Sequence, residues 1–187
     1  MTAPVPALTG TPVLETPRLI LRAPETGDFD AWATYCASGR SAFTGGPKPR
    51  HEAWRSFCGI TGHWVHRGFG MFVLVPRRGV APLGLCGPWF PEGWPEREIA
   101  WMLFEGAEGR GLAFESATAA RAHAYEVLGW TTAISLIDTA NARSEGLACR
   151  LGCSPEAPFV REGWGETRIW RHPGPEALAE GGIEAYA

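Results

Sequence analysis

The segment Glu108-Gly109-Arg110-Gly111-Leu112-Ala113 sets two glycines and an arginine between an apolar run and an alanine-rich helical pattern. Glycine lets a backbone come close to an anion, and the first N–H groups of a helix have no intrahelical acceptor. A strand, a glycine turn and a helix in that order bind phosphate. Spacing excludes three kinds of phosphate loop. A dinucleotide fingerprint needs a third glycine where Phe114 stands, and a Walker A loop needs Gly-Lys-Ser/Thr where Arg110-Gly111-Leu112 stands. A kinase loop joins two strands, whereas this one opens a helix. A glycine pair alone is equally a tight turn without a ligand.

The elements that must hold this loop are legible in the pattern. Glu98 to Phe104 reads as a largely buried strand, and Ala113 to Leu128, free of Gly and Pro, as a helix. A second strand, Thr132 to Ile137, leads into Asp138-Thr139-Ala140-Asn141-Ala142-Arg143-Ser144 and a short helix ending at Leu151-Gly152. Earlier, a strand covers 13–23, and Thr26-Gly27-Asp28 starts a helix with Phe29, Trp32, Ala33 and Cys36 on its apolar face. A Gly/Pro loop over 41–50 precedes a helix from His51 to His66, with Trp54, Phe57, Cys58 and Trp64 as apolar contacts. Strands over 69–75 and 81–89, a Pro/Gly/Trp loop over 88–95, and a closing hairpin of 157–161 with 167–172 around Gly163 to Gly165 complete the order.

The two motifs together resemble those of the GNAT acetyltransferases, and within them the bacterial ribosomal-protein N-acetyltransferase branch (RimJ/RimL-like). There a strand leads into W-G-K-G-Y-A-T-E-A, which Gly109, Gly111, Ala113 and Glu115 match. A later strand leads into N-x-x-S and a helix ending in L-G-F, which Asn141, Ser144 and Leu151-Gly152 match about thirty residues downstream. Leu14 to Arg22 is similar to the branch's first strand, so the resemblance covers residues 13–172, between an arm at 1–12 and a tail at 173–187. It implies an α/β (α+β) GNAT fold, with a mixed, twisted sheet of six to seven strands, about four flanking helices, and a splay between the fourth and fifth strands.

The resemblance also implies the chemistry: acetyl transfer from acetyl-CoA to a primary amine by direct attack, with no metal. Met102, Leu103 and Phe104 then lie at the strand end whose backbone N–H faces the thioester oxygen. Gly109, Arg110, Gly111, Leu112 and Ala113 hold the diphosphate, Asn141 meets the pantetheine arm, and Arg143 pairs with phosphate. Glu98 matches the acidic residue of the family's E-I-G-Y-W-L strand, and its apolar neighbours would raise its pKa toward that of a base. The alternative is an edge carboxylate paired with Arg97 or another cation. Ser144 is the acid for the leaving thiolate, or a hydroxyl satisfying a helix start, as Asn141 is also an ordinary N-cap. Trp89, Trp94 and Trp101 form an aromatic wall for the acceptor, with Trp94 the most exposed because Pro and Gly surround it; most of the nine tryptophans are core. The chain departs from the pattern at Glu105, Cys153, Ala148 (where many members have a tyrosine acid) and Glu108, whose negative charge falls beside the expected diphosphate.

Bulk properties bound the rest. The 187 residues suit one domain, and 45% apolar with 20% charged residues is ordinary for a globular protein. A net charge of −3 without a basic run excludes a nucleic-acid footprint, and no stretch is long and apolar enough for a membrane span. Residues 1–12 lack a signal-peptide pattern, and five cysteines without a C-x-x-C pair read as reduced, buried thiols in a cytoplasmic protein. His63 and His66 lack a third ligand at zinc spacing. The expected partner is a small-molecule or peptide amine, acting on a monomer or homodimer. The rival is a non-catalytic acyl-CoA-binding or interaction module on the same fold; a nucleotide-binding regulatory domain is a third reading.

Overall fold

The computed structural model describes residues 7–161 and 164–180. The expected strand over 13–23 is two strands, β1 (Leu14–Glu15) and β2 (Leu19–Arg22), folded back on each other. The turn between them is closed by Thr16, whose backbone N–H donates to the Leu19 carbonyl and whose side-chain oxygen accepts from the Leu19 N–H. A 3₁₀ turn over Thr26–Asp28 precedes α1 (Phe29–Ala37). Asp28 fixes that start by accepting the Glu25 N–H and a two-pronged ion pair from Arg22. A second 3₁₀ turn (Gly39–Phe43) leads to α2 (Arg50–Arg67), which ends at Gly68 in the left-handed conformation.

The sheet continues with β3 (Phe72–Pro76), β4 (Gly84–Trp89) and β5 (Glu98–Leu103). Then follow α3 (Leu112–Glu126), β6 (Ile134–Asp138), α4 (Ala142–Arg150), β7 (Ser154–Arg161) and β8 (Trp164–Arg171). Eight strands lie in the order β1-β2-β3-β4-β5-β6-β8-β7. The count exceeds the expected six to seven because the first strand is split, and the fold agrees. The expected turn residue Gly163 lies outside the described residues, as do 1–6 and 181–187. In the segment after β8, α5 (Pro175–Ala179) presents Leu178 to the core, and Leu8 of the arm does the same.

The sheet carries a core on each face. On one, Trp32, Ala33, Phe57 and Ile60 of α1 and α2 meet Val73, Leu85 and Phe104. On the other, Leu112, Ala117, Ala120 and Ala124 of α3 and Leu147 and Ala148 of α4 meet Leu19, Phe72, Ile99 and Ile137. The small α3 residues let that helix lie close to the strands. Trp32, Trp64, Trp130 and Trp170 are buried, but Trp54 is 49% exposed and not the core contact expected. Cys58 and Cys149 are likewise exposed, so only Cys36, Cys86 and Cys153 are the buried thiols anticipated. Interior Gly59 and Gly62 weaken α2 by roughly 1 kcal/mol each relative to Ala, yet a Cβ at Gly59 would meet nothing within 4 Å and one at Gly62 only His66 at 3.9 Å.

Candidate active site

β5 and β6 are the one parallel pair in the sheet, and their register holds a single partnered pair, Glu98 with Ile134. Beyond it the strands separate. Side chains bridge the opening where backbone bonds stop. The Leu136 N–H donates to Glu98 Oε1 at 2.9 Å, and the Ser135 hydroxyl donates to the Ile99 carbonyl at 2.7 Å. Glu98 is only 5% exposed, and its other oxygen accepts the Trp94 indole N–H. Burial pushes the carboxyl up to about 7, against the pull of those two donors. The alternative pairing with Arg97 is not formed: Arg97 stacks over Trp130 at 5.4 Å.

Ser135 belongs to a deeper network. Its oxygen lies 2.9 Å from His172 Nε2, and the Arg121 guanidinium lies 3.5 Å from His172 Nδ1 and donates to the Leu151 carbonyl at 2.7 Å. Because the serine proton goes to Ile99, His172 Nε2–H donates to Ser135 and Nδ1 is the bare nitrogen facing Arg121. Burial, and then the neighbouring arginines, hold this histidine down at about 3, so it is neutral. No spacing in the sequence joins Ser135 to His172, and the pair was not anticipated.

At the far end of β5 the loop is open. Gly106, Gly109 and Gly111 all have positive φ, 78°, 70° and 72°. The first α3 bond in the ladder is Glu115 N–H to the Gly111 carbonyl, and among the described residues no backbone acceptor meets the N–H groups from Glu108 to Phe114. Donors without a close backbone acceptor at a helix N-terminus suit an anion. Glu115 is turned away from it, accepting from Thr16, the Arg18 N–H and the Arg18 side chain, which pins β1–β2 to α3. Arg18 also donates to the Arg110 carbonyl, while the Arg110 side chain is exposed beside the loop. The Glu108 charge is met by two arginines: Arg40, whose guanidinium bonds its carboxylate, and Arg143 at 3.5 Å. Arg40, in the second 3₁₀ turn, was missed because nothing in its local sequence ties it to residue 108.

The strand end splits the three residues expected there. Phe104 N–H donates to the Leu83 carbonyl at 2.8 Å, and its ring packs on Tyr35 and Trp32. Phe104 is therefore corrected: its N–H serves the sheet. By the alternation of an antiparallel ladder Met102 also bonds toward β4, which leaves Leu103 and Trp101 with N–H groups toward the opening. The Met102 side chain lies on the Glu98 face and lines the cavity.

On the α4 side, Asn141 Oδ1 accepts the Ser144 N–H at 3.2 Å and so caps α4, with its amide nitrogen left for a ligand. The Ser144 hydroxyl oxygen accepts the Trp101 indole N–H at 3.2 Å and keeps its own proton to donate. Trp101 thus faces α4, across the sheet from Trp89, which sits opposite Glu98 in the β4–β5 register. Trp94 is half-buried against Glu98 and is not the most exposed tryptophan. All of these open on a cavity of about 760 Å³. His63, in its wall, is occupied: Nδ1 bonds the Phe69 carbonyl at 2.6 Å and Nε2 accepts the Phe90 N–H at 3.0 Å. Among the described residues no three His, Cys, Asp or Glu side chains cluster as a metal site, and no helix is long and apolar enough to cross a membrane.

The sequence profile of the GNAT acetyltransferase domain matches residues 18–154. An acetyltransferase of known structure from Agrobacterium tumefaciens is 32% identical, with 91% of this chain and 99% of that chain covered and a TM-score of 0.81. A chain assigned to the same family from Bordetella pertussis is 26% identical over 87% of this chain and 99% of its own, with a TM-score of 0.73. The ribosomal L7/L12 α-N-protein acetyltransferase RimL, solved with coenzyme A, is 15% identical over 86% and 97% of the two chains, with a TM-score of 0.68, a likeness of fold.

Proposed function

This chain belongs to the GNAT acetyltransferase family, and from that premise we propose that it carries the acetyl group of acetyl-CoA to a primary amine, on a protein N-terminus or a small molecule, by direct attack. The residues present fit acetyl-CoA. The open N–H groups of Gly109 to Ala113 suit a diphosphate, and the splay between β5 and β6 leads from that loop toward Glu98. Bound there, the cosubstrate supplies an acetyl group activated as a thioester.

Glu98 carries the reading. A buried carboxyl at about 7, with no cation bonded to it among the described residues, ionises near neutral pH and takes a proton from an ammonium group. The amine nitrogen then bonds to the acetyl carbon as the carbon–sulfur bond breaks. Leu103 and Trp101 offer backbone N–H groups toward the splay, where charge on the carbonyl oxygen would build. Ser144 keeps a hydroxyl proton to donate to the sulfur as it leaves. Five free cysteines accord with a reducing, cytoplasmic setting.

The test is a thermal-shift titration with acetyl-CoA, CoA, ATP and NAD, followed by thiol release against a panel of amines. Stabilisation by the two coenzyme A forms alone, about 2.7 kcal/mol at a hundredfold excess over Kd, with amine-dependent thiol release, is the expected outcome. Binding without thiol release from any amine returns the non-catalytic acyl-CoA module, and the absence of binding removes both.

A further inference from the structure

The cavity has two ends, and their chemistry differs. β5 runs from Glu98 toward the glycine loop and is itself roughly 17 Å long, so the base and the diphosphate donors stand toward opposite ends of the strand. The cofactor end includes Trp101, Met102, Asn141 and Ser144. Beyond Glu98, away from the glycine loop, the wall is built from Trp89, Pro91 and Trp94 on one side and Gly59, Ile60 and His63 of α2 on the other.

That second end sets apolar plates beside a few charged groups, Arg67 and Glu92 among them. Trp89 stacks on His63 with ring centroids 4.6 Å apart and planes 20° apart, and both His63 nitrogens are held by backbone groups, so the imidazole is a fixed, neutral plate. Glu92, the other carboxylate at this end, is bonded to Arg67 at 2.8 Å, and Arg67 lies over Phe90 at 5.2 Å. At this end Glu98 is left to receive a cation; the cavity's remaining carboxylate, Asp138, stands at the other end of β6 and accepts the Ala140 N–H. On α2, exposed Gly59 lines the same cavity with bare backbone, and a Cβ there would have open space around it. The glycine keeps the cavity wide, and packing does not require it.

Resting on the acyl-transfer reading of this cavity, we propose that the acceptor is a primary amine carried on a planar aromatic or comparably bulky apolar group, with its ammonium at Glu98 and its apolar body between the Trp89–Trp94 wall and the Gly59 stretch of α2. One proton passes from the ammonium to Glu98, and the N–C bond forms as the C–S bond breaks. The second nitrogen proton ends on the leaving sulfur by way of the Ser144 hydroxyl, which gives its own proton to the thiolate and is reprotonated. A polyamine or an aminoglycoside brings several cations to a place with one receiving carboxylate, and is a poor fit. Removing a phenyl-sized surface from water favours phenethylamine over ethylamine by on the order of 30-fold in kcat/KM.

The experiment measures thiol release with phenethylamine, tryptamine, ethylamine, spermidine and a short unblocked peptide, on the unaltered protein and on Gly59→Leu. The expected result is that both aromatic amines exceed the other three. Gly59→Leu should raise KM for tryptamine at least tenfold and by far more than it raises KM for ethylamine, with the acetyl-CoA Kd holding. Gly59→Ala, which adds a Cβ in open space, controls for folding. Preference for spermidine, ethylamine or the peptide overturns the proposal while the transferase reading stands, as does indifference of tryptamine to Gly59→Leu. Binding of acetyl-CoA with no turnover of any amine overturns it together with the base role of Glu98, and loss of acetyl-CoA binding itself would strike the family-level reading instead.

Discussion

Replacing Glu98 by Gln removes the proposed proton acceptor and keeps most of the geometry. The amide oxygen can still accept the Leu136 N–H that now reaches Oε1 at 2.9 Å, and the side-chain volume is nearly unchanged. With the carboxyl at about 7, roughly a tenth of the enzyme is ionised at pH 6 and nine-tenths at pH 8. At saturating amine, kcat of the unaltered protein should therefore rise about tenfold between those values and level off. Glu98→Gln should lose about 10²–10³ in kcat and the inflection with it, while acetyl-CoA affinity, followed calorimetrically, stays put. The same shift has a stability signature. The folded pKa lies above the ordinary value of 4.5, so the protonated form's contribution is fully present below 4.5 and is lost as pH rises through about 7. The loss is about 3 kcal/mol, and Glu98→Gln should escape it in chemical denaturation across that range. Retention of kcat within threefold in Glu98→Gln, or a wild-type profile without an inflection near 7, refutes the argument.

Trp94→Phe deletes the indole donor that steadies the ionised carboxylate, so the pH of half-maximal kcat should move upward; no movement would mean that this bond does not tune Glu98. His172, neutral in the fold at about 3 against an ordinary 6.5, makes the unfolded chain the better proton binder between those values. Stability it contributes above 6.5 is lost on acidification at about 1.4 kcal/mol per pH unit, and His172→Asn should lack that slope when the two proteins are compared by denaturant titration. Glu108→Gln removes the carboxylate that Arg40 and Arg143 share and leaves Arg40 its longer pair with Glu105. With that negative charge gone from beside the loop, acetyl-CoA should bind more tightly, an effect that shrinks as salt is added. Weaker binding in calorimetry would show that Glu108 itself supports the loop.

What was legible in the chain is what is local. The glycine turn announces itself because positive φ is needed at Gly109 and Gly111 within a few residues of a helix start. The Asn141–Ser144 cap does so because both partners lie inside one turn. Strand and helix order followed from periodicity for the same reason, and the error over 13–23 came from a three-residue turn around Thr16 that carries no Gly. The partners of Glu108, Glu115 and Ser135 were not legible. Arg40, Thr16 and His172 reach them across 68, 99 and 37 residues, distances over which only the tertiary fold sets who meets whom.

The two side chains that hold the splay nevertheless left a mark. β5 and β6 are apolar strands buried on both faces at their start, and each carries a polar residue just where the ladder ends: Glu98 in Glu-Ile-Ala-Trp-Met-Leu and Ser135 in Ile-Ser-Leu-Ile-Asp. A buried strand that continued its pairing would have no use for either, since an unpaired polar group costs roughly 1–3 kcal/mol. Each is satisfied by the neighbouring strand's main chain, Glu98 through the Leu136 N–H and Ser135 through the Ile99 carbonyl. The opening between the strands is thus held apart by side chains that stand in for missing backbone bonds. The carboxylate that closes one of those gaps is the group proposed above to receive the amine. Ser135→Ala tests the coupling: with the Ile99 carbonyl and His172 Nε2–H both deprived of their partner, stability should fall by about 2 kcal/mol and kcat should fall with it. An unchanged kcat in a destabilised Ser135→Ala protein would show that Glu98 holds its place without the second bridge.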